Sequence, residues 1–197
     1  MSGTNEIKQP SSTIHVTYRR PSPTDFVAVA AIASAVTAVG FLLTAPIPLI
    51  PGAIHWRVLA FLPCIFGILY GPIVGFIAGA LGNTLWAIIG GYFNPATPVF
   101  DLIGVGLTGL IPGLFVKPHE CTTKRGLVKA AVISTIAGLI MVPIVAIGFD
   151  LVGVAPFTAA VVFLLLSDIP PIAVGTPLVL AAIVPPLLRR GTIKWRF

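Results

Sequence analysis

The stretch FLPCIFGILYGPIVGFIAGALGN, residues 61–83, decides the fold. It holds no charged side chain, and Gly71-Pro72 near its middle reads as a tight turn. The turn separates two apolar segments, one over 56–70 and one running to about residue 91. Outward from it the same texture continues, with apolar segments at 26–44, 98–116, 127–148 and 157–188. Only 9% of the 197 residues are charged, against about 25% in a soluble domain. So few charges cannot cover a water-facing surface, so lipid is the solvent for most of the chain. The expected fold is an all-α integral membrane protein with six transmembrane helices. A polar cytoplasmic tail at 1–25 precedes a six-span membrane domain at 26–188, and a basic cytoplasmic tail at 189–197 follows it.

The last segment is long. Its roughly 32 residues would make about 48 Å of straight helix against about 30 Å of hydrocarbon. Pro170-Pro171 and Pro185-Pro186 lie within it, so the expectation is a helix kinked or broken at prolines. Reading it as two spans would carry Arg189, Arg190, Lys194 and Arg196 to the outer side, against the charge rule.

Charge sets the orientation. All but one of the twelve Lys and Arg residues fall at 8–20, 117–129 and 189–196. By the positive-inside rule those three regions are cytoplasmic, and the linkers at 45–56, 92–97 and 149–156 face outward. The net charge of +6 is thus a matter of topology, and no nucleic-acid partner is expected. The N-terminal stretch lacks the layout of a cleaved signal peptide and reads as a cytoplasmic tail. Cys64 falls in a span and Cys121 in a basic loop, so no disulfide is expected between them.

The exception to the charge pattern is Arg57, at the outer end of the second span. Polar groups inside apolar spans are costly, about 2.5–3.5 kcal/mol for a central charge, and mark function by default. Here they gather on the outer half. Asn83 and Trp86 lie in the upper part of the third span, Asn94 in the second outer loop and Asp101 in the first turn of the fourth span. Asp168 lies eleven residues into the sixth, just before a double proline. These five, with Arg57, are the six candidate substrate-binding residues. Each has a plainer alternative. Asp168 can pair with Arg57, Arg57 can snorkel to the headgroups, Asp101 can cap its helix and Asn83 can bond between helices. Trp56, Trp86, Tyr92 and Phe93 suit either an outer aromatic belt or a stacking surface.

Small residues form faces as well. Ala28, Ala31, Ala35 and Ala38 follow helical spacing on the first span, and an Ala face can pack internally or meet another subunit. Gly75, Gly79 and Gly82 on the third span, and Gly106, Gly109 and Gly113 on the fourth, suit close helix packing. No phosphate-binding loop, zinc-protease motif or nucleophile elbow occurs. His15, His55 and His119 are far apart in sequence, and His119-Glu120-Cys121 matches no standard metal spacing. No catalytic group, metal or cofactor is expected.

The order of these features resembles a known family. AIASA at 31–35, the stretch 61–83 with its Gly-Pro turn, and DLIGVGLTGLIPGL at 101–114 are similar to the substrate-binding S components of energy-coupling factor (ECF) vitamin transporters. The resemblance covers most of the chain. It implies a small binder without its own ATPase, docked on a transmembrane T component that is coupled to two ATPase subunits. It implies that Ala31 and Ala35 meet the T component. It implies capture of a small water-soluble vitamin or precursor near the outer face, under a lid formed by the first linker. It also implies the plasma membrane of a prokaryote. The chain carries no recognised signature for riboflavin, thiamine or biotin, and lacks the His-containing N-terminus of the nickel and cobalt relatives. The competing readings are a proton-coupled carrier using Asp168 as its relay, and a membrane scaffold protein.

Overall fold

The computed structural model describes residues 22–44, 48–50 and 54–190. Most of both expected tails and parts of the first linker lie outside the described residues. Helix α1 covers Pro23–Thr44. Strands β1, Pro48–Ile50, and β2, Ile54–His55, form a short antiparallel ribbon. Then follow α2 (Leu62–Tyr70), α3 (Pro72–Gly90), α4 (Pro98–Phe115), a 3-10 turn at Pro118–Thr122, α5 (Lys124–Leu151) and α6 (Phe157–Arg189). Apart from the ribbon the fold is all-α.

Five of these helices are long and apolar enough to cross a membrane. The exception is α2. The sequence suggests a span over 56–70, yet only nine residues are helical, about 14 Å of rise against about 30 Å of hydrocarbon. Pro63 suits the first turn of a helix, where its missing amide is not needed, so α2 starts at Leu62. The preceding residues are held in extended and turn conformations by contacts with α6 that are described below. The first linker therefore does not stay outside the bundle; it descends into it.

The long last segment is a single helix, α6. It is one continuous helix of 33 residues with Pro170, Pro171, Pro177, Pro185 and Pro186 inside it, so of the two expected outcomes, kinked or broken, it is not broken. Proline's fixed φ of about −65° is compatible with the helix, although each interior proline removes one amide hydrogen bond and crowds the carbonyl one turn earlier.

At the turn between α2 and α3, Gly71 has φ 107° and its amide donates to the Gly67 carbonyl at 2.9 Å. A side chain there would be strained, so the Gly-Pro pair read from sequence is a conformational requirement. The two glycine faces meet each other. A Cβ on Gly109 would overlap the Gly75 backbone, and one on Gly79 would overlap the Val105 carbonyl. In lipid, where apolar surface gains little from meeting other apolar surface, such close backbone approach is what holds helices together.

Two apolar clusters fill the bundle. Phe41, Trp86, Met141, Val145 and Leu164 pack in one half. Phe61, Ile65, Ile68, Val116, Leu180 and Val184 pack in the other. Helix α1 leans chiefly on α3. It buries Ala30, Ala33, Ser34, Thr37, Ala38 and Phe41, and leaves Ala28, Ala31 and Ala35 exposed. On the other side of the bundle, Thr123 caps α5 by accepting from the Gly126 amide at 3.1 Å, and Lys129 pairs with Glu120 at 2.8 Å.

Candidate functional site

The site is built around Arg57. Its Nε lies 2.9 Å from Asp168 Oδ1, and its Nη2 donates to Asp168 Oδ2 at 3.0 Å. Its Nη1 donates to Asn83 Oδ1 at 3.0 Å, and its guanidinium carbon lies 5.5 Å from the centre of the Phe41 ring. All three guanidinium nitrogens are thus engaged. Arg57 is 7% exposed and Asp168 1%. A fork of this geometry is the strong form of an arginine–carboxylate pair, and burial makes it costly to open. Arg57 does not snorkel. It turns inward and ties the linker to α3 and α6.

The backbone repeats the tie. The Arg57 amide donates to Ser167 Oγ at 3.3 Å, and the Ser167 hydroxyl donates to the His55 carbonyl at 2.9 Å. Asp168 is eleven residues from the N-terminal end of α6, so the chain at 55–57 reaches about 16 Å along the helix. The arrangement satisfies a charged side chain and irregular backbone at membrane depth, which lipid alone could not do.

Above this anchor is an open-mouthed cleft of about 80 Å³. That volume lies below the range of about 300–1,000 Å³ usual for small-molecule sites, so a ligand of vitamin size has to widen it. Arg57, Asn83, Trp86, Asn94 and Asp101 all line it, together with His55, Tyr92, Thr97, Phe93 and Phe149. Asp168 is not part of the lining and acts on it through Arg57. Five of the six expected residues therefore share one cavity, and the sixth holds one of the five in place.

One wall is aromatic. The His55 and Tyr92 rings are 4.1 Å apart, His55 and Trp86 5.7 Å, and Trp86 and Tyr92 5.5 Å. Trp86 is buried and packs edge-on to Phe41, so it lies inside the bundle rather than in an interfacial belt. Trp56 and Phe93 are exposed. Two polar atoms of this wall, His55 Nδ1 and Trp86 Nε1, are buried without a hydrogen-bond partner. Buried polar groups are almost always satisfied, so orphans that border a cavity point to a ligand or water.

The opposite side is polar. Asp101 stands in the first turn of α4, and the Thr97 hydroxyl lies within hydrogen-bonding reach of its carboxylate. Asn94 Oδ1 accepts from the Ala96 amide at 3.0 Å, which shapes the loop before α4. Among the described residues, no group of three His, Cys, Asp or Glu side chains is placed to hold a metal ion. Glu120 is committed to Lys129, and burial pushes the Cys121 thiol up to about 11.

Sequence reasoning missed His55 and Ser167. A histidine two positions before the solitary arginine was a usable signal. A serine one position before Asp168 was a weaker one.

A helical bundle apolar enough to cross a membrane, carrying an aromatic-walled cleft, has the architecture of a small-molecule binding subunit. The family described as ECF-type riboflavin transporter, S component, matches residues 22–187, and the chain belongs to that family. No curated protein and no solved structure matches the chain. The protein is therefore a multi-pass membrane transport component.

Proposed function

We propose that this protein is the substrate-capture subunit of an ATP-driven importer and that its substrate is riboflavin or a close relative. The observation that carries the reading is the cleft, where a wall of His55, Trp86 and Tyr92 with two unpartnered polar atoms faces Asp101 and Asn94. A flat ring suits stacking on that wall. A hydroxylated chain suits the acceptors opposite. The family's own description names riboflavin, and this chemistry agrees with it. Arg57, Asn83, Trp86, Asn94 and Asp101 contact or frame the ligand, and Asp168 fixes Arg57.

In this reading the cleft opens to the outside of a prokaryotic plasma membrane, and both termini are cytoplasmic. A transmembrane T component and two ATPase subunits supply the energy, and Ala31 and Ala35 on the exposed face of α1 meet the T component. The ribbon of β1 and β2 serves as the lid, with Arg57 as its hinge post.

The direct test is titration of the purified chain with riboflavin, followed by flavin and tryptophan fluorescence. Saturable quenching is expected, because Trp86 borders the cleft. Absence of saturable binding overturns the riboflavin assignment, and mass spectrometry of whatever ligand survives purification then names the replacement. Uptake in cells should stop on ATP depletion and persist when the proton gradient is collapsed. The reverse pattern would establish a proton-coupled carrier instead.

A further inference from the structure

The charges around the cleft do not cancel. Arg57 and Asp168 neutralise one another through the two-point pair, and Nη1 of Arg57 is held by Asn83. Asp101 remains. Among the described residues no cation lies within ion-pair distance of it. The nearby Thr97 hydroxyl donates its proton to the Asn94 carbonyl at 3.3 Å, and the Arg57 charge acts on Asp101 only from beyond ion-pair distance. The carboxylate keeps acceptor capacity on the cavity side.

Helix α4 opens on the same cavity through Thr97, Pro98 and Asp101. A helix N-terminus ordinarily favours an anion. Here Asp101 already supplies that anion in the first turn, and Pro98 withholds one of the amides an incoming anion would use. The two features that could welcome a negative ligand, the arginine and the helix end, are both matched by the protein's own carboxylates. The unpartnered Trp86 Nε1–H, 7% exposed as a residue, is a neutral donor suited to a carbonyl or ring nitrogen.

We propose that Asp101 is the specificity-determining residue of this cleft, accepting a hydrogen bond from a hydroxyl or imide N–H of the ligand and rejecting its phosphate ester. The inference rests on the proposed riboflavin reading and deepens it. A phosphate monoester carries about −1.5 to −2 charges near neutral pH. Brought beside an unpaired carboxylate in a partly desolvated cleft, it meets repulsion large enough to separate the two ligands by at least about tenfold. The protein would then take up the free vitamin and leave its phosphorylated form outside.

The experiment compares riboflavin with riboflavin 5′-phosphate on the purified full chain, for the wild type, Asp101→Asn and Asp101→Ser. The wild type should bind riboflavin at least about tenfold more tightly than the phosphate. Both variants should bind riboflavin more weakly and the phosphate more tightly, so the two affinities move in opposite directions. A merely structural acid would weaken both together. Equal binding of the two ligands by the wild type overturns the proposal, as does an unchanged ratio in whichever variant folds. Binding of neither ligand to the wild type overturns the riboflavin reading and this inference with it. Riboflavin binding without discrimination overturns this inference alone.

Discussion

Arg57 holds its charge beside Asp168 at a depth where neither could stand alone. Removing one partner leaves the other buried and uncompensated, which costs about 3–5 kcal/mol in comparable pairs. Asp168→Asn should therefore lower the thermal stability of the detergent-solubilised protein sharply. The apolar double variant Arg57→Met with Asp168→Leu should recover much of that loss, because the desolvation of both charges disappears together. A double variant no more stable than Asp168→Asn alone would show that the pair contributes through something other than charge balance. The pair itself was legible in the sequence. One cation stood apart from every basic group, and one acid interrupted a long apolar segment, so each was the other's natural counter-ion. What was not legible was the depth of the meeting. It depends on the Ser167 hydroxyl holding the His55 carbonyl, and a backbone acceptor has no sequence identity. For the same reason His55 could not be assigned to the cleft until the linker's path was known.

Among the elements, α3 and α4 were the most readable, because their glycine spacing states directly which faces touch. Gly109 lies where any Cβ overlaps the Gly75 backbone, and backbone cannot move aside as a flexible side chain can. Gly109→Ala should destabilise the protein by about 1–3 kcal/mol, the usual cost of overpacking. Gly91 has open space around it but φ 76°, so Gly91→Ala should cost only backbone strain, about 1 kcal/mol. Similar melting temperatures for the two variants would mean that the α3–α4 contact is looser than the geometry implies. The start of α2 was misread, and the path of α6 was left open. Hydropathy counts apolar residues and cannot tell a helix from an irregular apolar strip, so residues 56–61 were absorbed into a span. Proline pairs announce lost amides and say nothing about whether the path bends away from helical. The 3-10 turn before α5 adds a pH-dependent contact. Burial pushes the Glu120 carboxyl up, but the hydrogen bond and charge of Lys129, with help from the Lys117 backbone and His119, outweigh it and leave its pKa below the ordinary 4.5. A carboxyl depressed in the folded state adds stability above its unfolded pKa and loses it as pH falls through the folded one. Melting of the wild type should therefore converge on that of Lys129→Met below about pH 4 and exceed it slightly at pH 7. A gap that persists at low pH would remove the ion pair from the explanation.

At the scale of the whole molecule the bundle is asymmetric about α1. This helix contacts chiefly α3, and its far side presents Ala28, Ala31 and Ala35 beside larger exposed residues such as Ile32, Val36 and Val39. A lipid-facing helix has no need of small residues in register, since Leu or Val would serve the hydrocarbon equally well. Small residues matter where another helix must come close. The cleft lies on other elements, lined by the linker, α3, α4, α5 and α6, so in the proposed reading docking and capture use separate surfaces. They should be separable by mutation. Ala31→Leu and Ala35→Leu add bulk at the proposed contact with the T component, and overpacking of about 1–3 kcal/mol converts to roughly tenfold or more in docking affinity. Riboflavin binding to the isolated chain should not change, while co-purification of the T component and ATP-dependent uptake should both fall by about that factor. The control is Val36→Leu, also exposed on α1 but about 100° around the helix from Ala35, which should leave uptake intact. If the alanine variants weaken riboflavin binding as strongly as uptake, α1 is part of the capture machinery and the division of surfaces is wrong. If they change neither, the alanine register faces lipid, and the T component must approach the bundle from another side.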